Sequence, residues 1–116
     1  MDPVVLDKSF LFAVRVVKLS RHLRRDQREY VLSRQVLRSG TSIGANVEEA
    51  RAGLSRKEFI AKIAIASKEA RETAHWLRLL NETNYLDSKV FESIHHDCDE
   101  LIRMLTSIVK TSREAT

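Results

Sequence analysis

Apolar residues recur every three or four positions along most of the chain, which is the spacing of amphipathic α-helices. The first helix is predicted over about residues 3–22, with Pro3 in its first turn. Its buried stripe is predicted to contain Leu6, Phe10, Ala13, Val14, Val17 and Ser20. A polar run follows, and in it Asp26 is the expected N-cap of helix two.

Helix two is expected to end near Gly53, and helix three to begin at the capping box formed by Ser55 and Glu58. Leu54 precedes this box and is expected to pack against Phe59. The buried face of helix two should contain Leu32, Val36, Ile43, Val47 and Ala50. The seam of helix three should contain Phe59, Ile63, Ala66, Ala70, Thr73, Leu77 and Leu80.

Helix four follows a break at residues 81–84 and is expected to start at a cap supplied by Asp87 or Ser88. Its buried face should contain Phe91, Ile94, Cys98, Leu101, Leu105 and Ile108. Three short connections make neighbouring helices antiparallel. The pattern therefore predicts an all-α, up-down-up-down four-helix bundle in one domain, residues 1–110, with a frayed tail at 111–116.

Several apolar residues lie partly off these buried faces. They are Ile60, Ile65, Trp76, Val90 and Val109. Surplus apolar surface of this kind favours a homo-oligomer. A monomer with scattered apolar residues on its surface is the alternative.

Helix two contains a run rich in glycine and hydroxyl residues at positions 38–49. Each glycine costs a helix about 1 kcal/mol relative to alanine, so close packing or a partner must stabilise this run. Gly40, Gly44 and Ala45 would let a second backbone approach closely. Asn46 lies at the flank of the apolar stripe, where it could fix the register of an interface.

Residues that face each other across helices two and three lie at similar distances from Gly53 along the chain. This geometry predicts two inter-helix ion pairs, Arg38 with Glu69 and Arg34 with Glu72. Their expected role is to fix register rather than to add stability, since desolvation offsets much of the Coulomb attraction.

Positive charge is concentrated near the first loop. The chain has 116 residues and a net charge of +4, and residues 15–38 hold eight basic residues against two acids, a net +6. The remainder therefore carries −2. Arg21, Arg24, Arg25 and Arg28 are the predicted nucleic-acid-binding residues, because clustered arginines can bind phosphates. A solvated end of the bundle is the alternative, and Tyr30 is the only aromatic residue in the cluster.

The sequence offers little that points to metal or cofactor chemistry. His95, Cys98 and Asp99 have helical spacing, but Cys98 falls on the predicted core stripe, where a free cysteine behaves as a small apolar residue. We therefore expect no metal site and no cofactor. A single cysteine fits a reducing cytoplasm, and no apolar run approaches the ~20 residues needed to span a membrane.

The spacing of one arginine and one histidine resembles that of a known catalytic pair. Arg15 and His22 have six residues between them, a spacing similar to the Arg-His motif of helical ribonucleases of the HEPN type. Such a pair could polarise a scissile phosphate and transfer a proton. Because a basic chain with four histidines produces such spacings by chance, we expect no catalytic residues and keep ribonuclease activity as an alternative.

Three blocks in helices two and three resemble a bacterial protein family. They are residues 38–50, which contain Ser-Ile-x-Ala-Asn-x-x-Glu, residues 55–59, and residues 66–73. The family is that of four-helix-bundle proteins encoded in intervening sequences of 23S ribosomal RNA genes, with relatives in the accessory variability determinant of diversity-generating retroelements. This chain departs from the usual form at Gly44, where proline is frequent, and at Ala50, where glycine is common. The family-motif residues are Arg38, Ser42, Asn46, Glu49, Glu69 and Glu72.

The resemblance implies a four-helix protomer in a ring-like homopentamer with a basic face or channel. It also implies association with nucleic acid or with a nucleic-acid enzyme such as a reverse transcriptase. Together with the charge pattern, it leads us to expect a non-catalytic scaffold that binds RNA or DNA without sequence selectivity. The alternative is a pure protein-interaction module that docks a partner enzyme.

Overall fold

Four α-helices make up nearly all of residues 1–53 and 55–115, which are the residues that the computed structural model describes. They are α1 (Pro3–Arg25), α2 (Leu32–Arg51), α3 (Arg56–Glu82) and α4 (Ser88–Glu114). The expected contact of Leu54 with Phe59 lies outside the described residues, as does Thr116.

Each helix packs against the next one in the chain, and α4 closes the arrangement by packing against α1. Within the described ranges, the diagonal pairs α1 with α3 and α2 with α4 make no close backbone approach. The bundle measures 47 × 20 × 20 Å, so the helices run along its long axis. The predicted four-helix bundle is confirmed.

The buried faces predicted for α2, α3 and α4 are confirmed in their central parts. Every predicted seam residue of α3 except Phe59 is buried, and α2 buries Val36, Ile43, Val47 and Ala50. In α4 the Sγ of buried Cys98 donates a hydrogen bond to the carbonyl of Ala70 at 3.2 Å. Burial raises the pKa of the Cys98 thiol to about 12, and the carboxylates of Asp99 and Asp97 add to the effect.

The stripe predicted for helix one is wrong by one position. Ser20 is buried as predicted, but Phe10 is 67% exposed, and the rest of the buried face consists of Val5, Ser9, Phe12, Val16, Leu19 and Leu23. The helix carries apolar residues on two adjacent faces about 100° apart, and periodicity alone does not choose between them. The choice depends on which face fits the surface of α2.

Gly40 and Gly44 make that fit possible. A Cβ atom at Gly40 would lie 2.7 Å from both γ carbons of Val16, and one at Gly44 would lie 3.2 Å from the backbone oxygen of Ser9. An approach as close as that at Gly40 is essentially never seen for a real Cβ atom, and the tight approach at Gly44 would require the backbone of Ser9 to shift by a few tenths of an ångström. The predicted close approach of a second backbone is therefore present, and the second backbone is α1 of the same protomer.

The start of helix two also differs from the prediction. Asp26 is not its N-cap but the C-cap residue of α1, and its Oδ2 lies 2.7 Å from Nδ1 of His22. Helix α2 begins six residues later, and Oε1 of Glu29 accepts a hydrogen bond from the backbone N–H of Ser33 at 2.8 Å. A glutamate side chain from the loop thus satisfies one of the free amides at the helix start.

The caps of the other two helices agree with the sequence. The Ser55 hydroxyl accepts from the backbone N–H of Glu58 at 3.1 Å, and the Asp87 carboxylate accepts from that of Val90 at 2.9 Å. Helix α4 continues to Glu114 and so includes most of the segment for which we predict a frayed tail. Fraying of this last turn in solution stays a prediction.

Candidate nucleic-acid interface

The four predicted arginines lie at one end of the bundle, where α1 ends and α2 begins. Arg21, Arg24, Arg25 and Arg28 are all exposed, and none of them forms an ion pair within residues 1–53 and 55–115. Arg24 donates from Nε to the backbone carbonyl of Ser20 at 3.3 Å, which orients its side chain along the helix. We name this group of four residues the arginine end.

The local backbone explains how Arg28 reaches this surface. Its φ of 54° places it in the left-handed region, which costs a non-glycine residue on the order of 1 kcal/mol. The turn is closed by a hydrogen bond from the backbone N–H of Glu29 to the carbonyl of Leu23 at 2.9 Å. Positive side chains in the last turn of α1 also interact favourably with the negative end of the helix dipole.

The connection between α3 and α4 lies at the same end of the bundle, because the helices alternate in direction. Asn84 adopts a φ of 67° there, and Tyr85 is half-buried with its backbone N–H donating to Leu80 at 2.9 Å. Tyr85 is therefore an aromatic neighbour of the basic segment, which the sequence pattern does not predict. The up-down topology contains the necessary information, since it places the first and third loops side by side.

A groove lies between α1 and α4, the pair of adjacent helices that pack least closely. Its volume is about 810 Å³, and Arg15, Lys18 and His22 line its α1 side. Leu86, Val90 and Ile94 supply apolar surface opposite them. The groove therefore combines cationic and apolar walls beside the arginine end.

Arg15 and His22, the pair behind the ribonuclease alternative, both line this groove. Nη1 of Arg15 lies 2.6 Å from Oδ2 of Asp97, and its Nη2 donates to the Ser93 hydroxyl at 3.1 Å. Nδ1 of His22 is paired with Asp26, as described above. The guanidinium is thus held by α4, and cleavage of a phosphodiester by this pair stays an untested prediction.

The predicted ion pair between Arg38 and Glu69 is confirmed, with Nη1 to Oε2 at 3.3 Å. The pair predicted between Arg34 and Glu72 is wrong. Glu69 and Glu72 lie on the same face of α3, so the one guanidinium of Arg38 reaches both carboxylates. Oε2 of Glu72 also accepts from Nε1 of Trp76 at 2.9 Å, while Arg34 is exposed.

The remaining family-motif residues make contacts that hold the fold. Nδ2 of Asn46 donates to the carbonyl of Ser42 at 2.9 Å and lies 3.1 Å from its hydroxyl, so this contact stays within α2. Oε1 of Glu49 pairs with Nζ of Lys62 at 2.9 Å and links α2 to α3. The motif thus contributes to the α2–α3 hairpin and does not touch the arginine end.

Several exposed apolar side chains lie on α1, and Val31 in the first loop is 68% exposed. Phe10 is 67% exposed, Leu11 62% and Val4 43%. Among the predicted off-seam residues, Ile65 and Val90 are exposed, and Ile60, Trp76 and Val109 are half-buried. This surface suits an interface, and the ring-like assembly stays a prediction.

Within the described ranges no group of three or more His, Cys, Asp or Glu side chains is placed to hold a metal ion. The same part of the chain has no helix that is both long enough and apolar enough to cross a membrane.

Comparison with known proteins supports the family resemblance that the sequence of helices two and three indicates. Residues 1–107 match the model of a family described as 23S rRNA-intervening sequence protein. A crystal structure of a protein of unknown function from the S23 ribosomal protein family of Bacteroides thetaiotaomicron VPI-5482 is 52% identical, with a TM-score of 0.92. The match covers 94% of this chain and 97% of that one. A search of curated proteins finds no match. The chain belongs to the family of 23S rRNA-intervening sequence proteins.

Proposed function

We propose that the protein is a cytoplasmic, non-catalytic, oligomeric scaffold that binds RNA or DNA through its arginine end. The observation that carries this proposal is the group of four exposed guanidinium groups with no acidic partner in the described part of the chain. Guanidinium groups donate paired hydrogen bonds to phosphate oxygens, and each contact releases condensed counterions. The family resemblance, which implies association with nucleic acid, favours the same kind of partner.

The arrangement favours binding without sequence selectivity. Arginines at a helix end and in a loop can reach the phosphate backbone, which carries no direct sequence information. A single patch of four charges binds weakly at physiological salt. Repetition around the homopentamer that the family resemblance implies would raise the overall affinity through avidity.

The test is fluorescence anisotropy with labelled RNA and DNA from about 50 mM to about 200 mM salt. We expect affinity to fall steeply with salt, and the change of Arg21, Arg24, Arg25 and Arg28 to Gln to remove most of the binding and flatten the salt dependence. The control variant changes four exposed basic residues at the opposite end to Gln, namely Arg51, Arg56, Lys57 and Lys110. Equal losses in both variants, or binding that ignores salt, would rule out the arginine end.

A second candidate is a protein-interaction module that docks a partner enzyme, for example a reverse transcriptase as the resemblance implies. The exposed side chains of Phe10 and Leu11 favour it, because apolar surface on a small bundle suits a protein partner. The ultraviolet absorbance ratio of the purified protein separates the two candidates. Retained nucleic acid supports the scaffold, and clean protein at low salt supports the interaction module.

A further inference from the structure

The groove between α1 and α4 has the size of a small-ligand site. Its volume of about 810 Å³ falls within the range of known ligand pockets, about 300–1,000 Å³. It lies between the two adjacent helices that pack least closely, at the end of the bundle where the two loops meet. The ion pair of Arg15 with Asp97 joins the two helices at the end of the groove that lies away from the loops.

The groove has an apolar wall and polar amide groups at its rim, which together suit a nucleobase. Val90, which is 43% exposed, and the half-buried Tyr85 give one wall an apolar surface, and the buried side chains of Leu86 and Ile94 lie at its base. The amide side chains of Gln27 and Asn84 stand at the rim, one from each loop, and both can donate and accept hydrogen bonds. A nucleobase has apolar faces and polar edges, and it pairs with such a surface by stacking and edge hydrogen bonds.

The charges around the groove determine on which side the phosphates of a bound nucleotide lie. Lys18 lines the groove, and Arg21 and Arg25 follow it on the same face of α1 over about 10 Å. All three are exposed and form no ion pair in the described residues. On the opposite wall Asp87 carries a negative charge. Phosphates are therefore attracted to the α1 side of the groove, and the apolar surface lies on the opposite side.

We propose that the groove receives one unpaired nucleobase of a single strand whose phosphates lie along Lys18, Arg21 and Arg25. This inference rests on the proposed nucleic-acid binding and adds a substrate class to it, because a base in a duplex is stacked and paired and cannot enter the groove. Binding at the groove is expected to favour single strands over duplexes without selecting a sequence.

The experiment compares three labelled probes of about twelve nucleotides, namely a single strand, an abasic strand with the same phosphates, and a duplex. We expect the native protein to bind the single strand about tenfold more tightly than the abasic strand, since stacking of a base contributes about that factor. Val90→Trp fills the groove and should abolish this preference while leaving duplex affinity unchanged. Val4→Trp is the matched control, because both valines are 43% exposed.

A second variant keeps the proposal testable if Val90→Trp does not fold. Asn84→Gly removes a rim amide and keeps the left-handed backbone, for which glycine is well suited. It should lower single-strand affinity a few-fold and leave the abasic strand unaffected. Thermal melting of all three variants verifies that each is folded.

The outcomes separate the groove from the arginine end. Equal affinity of the native protein for the single and abasic strands, with salt-dependent binding of both, would overturn the groove and leave the arginine end standing. Loss of preference in Val4→Trp as well as in Val90→Trp would also overturn it. Failure of all three probes to bind the native protein would overturn both proposals.

Discussion

The α2–α3 hairpin and the α1–α4 side of the bundle hold their helices together in different ways. In the hairpin, Arg38 reaches two carboxylates of α3, Glu49 pairs with Lys62, and a buried hydroxyl pair joins Ser39 to Thr73 at 2.8 Å. Between α1 and α4 the helices pack least closely and leave an open groove.

Ion pairs also join α1 to α4, at Lys8 with Glu100 and at Arg15 with Asp97, so the difference in charge lies between the hairpin and the loop end of the α1–α4 side. The hairpin pairs its basic motif residue with acids, whereas Lys18 and the arginine end have no acidic partners in the described residues. A cation that is already paired gains little from a phosphate, since an ion pair must first be broken. The comparison indicates that the hairpin specifies the fold and that the α1–α4 end is available to a ligand. Changes in the hairpin should therefore affect stability and leave nucleic-acid affinity unchanged.

The largest loss of stability is expected for Gly40→Leu. The side chain would collide with Val16, whose γ carbons lie 2.7 Å from the position of a Cβ atom. Overpacking of this severity should lower the free energy of unfolding by about 3 kcal/mol or more, measured by urea denaturation. Ala61→Leu, at an exposed position of α3, is the control and should change it by less than about 0.5 kcal/mol. Equal stability of the two variants would contradict the close packing of α1 on α2.

The second-largest loss of stability is expected when the hydrogen bond between the buried Ser39 and Thr73 hydroxyls is removed. Thr73→Val leaves the Ser39 hydroxyl without its partner in α3 and should cost about 1–2 kcal/mol. The double variant Ser39→Ala, Thr73→Val should lose less than the sum of the two single changes, because it removes both polar groups together. Additive losses in denaturation experiments would show that the two hydroxyls do not interact.

Because the pKa of the buried Cys98 thiol is raised, we expect the protein to lose stability at alkaline pH. Burial raises its pKa from 9.0 to about 12, so the folded state keeps the thiol protonated while the unfolded chain ionises above pH 9. Stability should therefore be complete below pH 9 and fall between pH 9 and 12, by about 1.4 kcal/mol per pH unit. Cys98→Ala is the control for other titrating groups. Parallel pH profiles of the two proteins would contradict the raised pKa.

The smallest effect is expected for Arg38→Met. Its side chain is 51% exposed, so its ion pairs with Glu69 and Glu72 should contribute about 1 kcal/mol or less. Thermal melting should show a small decrease that shrinks at high salt, with nucleic-acid affinity unchanged. Arg34→Met is the matched control and should melt like the native protein. Unchanged melting and assembly of Arg38→Met would remove its proposed role in register.

The sequence predicts much of this fold because three helices have one clear apolar face each. The seam of α3, the cap at Ser55 and the pair between Arg38 and Glu69 follow from spacing alone. The stripe of α1 could not be predicted, because two faces are apolar and only the contact of Val16 with Gly40 distinguishes them.

The candidate site was predictable only in part. A count of charges finds the arginine end, but at the start of α2 the Glu29 side chain accepts a hydrogen bond from the backbone N–H of Ser33, which no common capping pattern describes. The groove combines residues of α1 with Asn84 and Tyr85 from a loop more than half the chain away. Such a juxtaposition follows from the up-down topology, which brings the first and third loops to one end of the bundle, and not from any local pattern.

We expect the protein to be an oligomer whose arginine end carries nucleic acid. The decisive experiment measures the solution mass by light scattering at two salt concentrations and records the ultraviolet absorbance across the same peak. The oligomer should persist at high salt, as a pentamer if the family resemblance holds, and should retain nucleic acid at low salt only. A monomer whose absorbance is that of protein alone at both concentrations would contradict it.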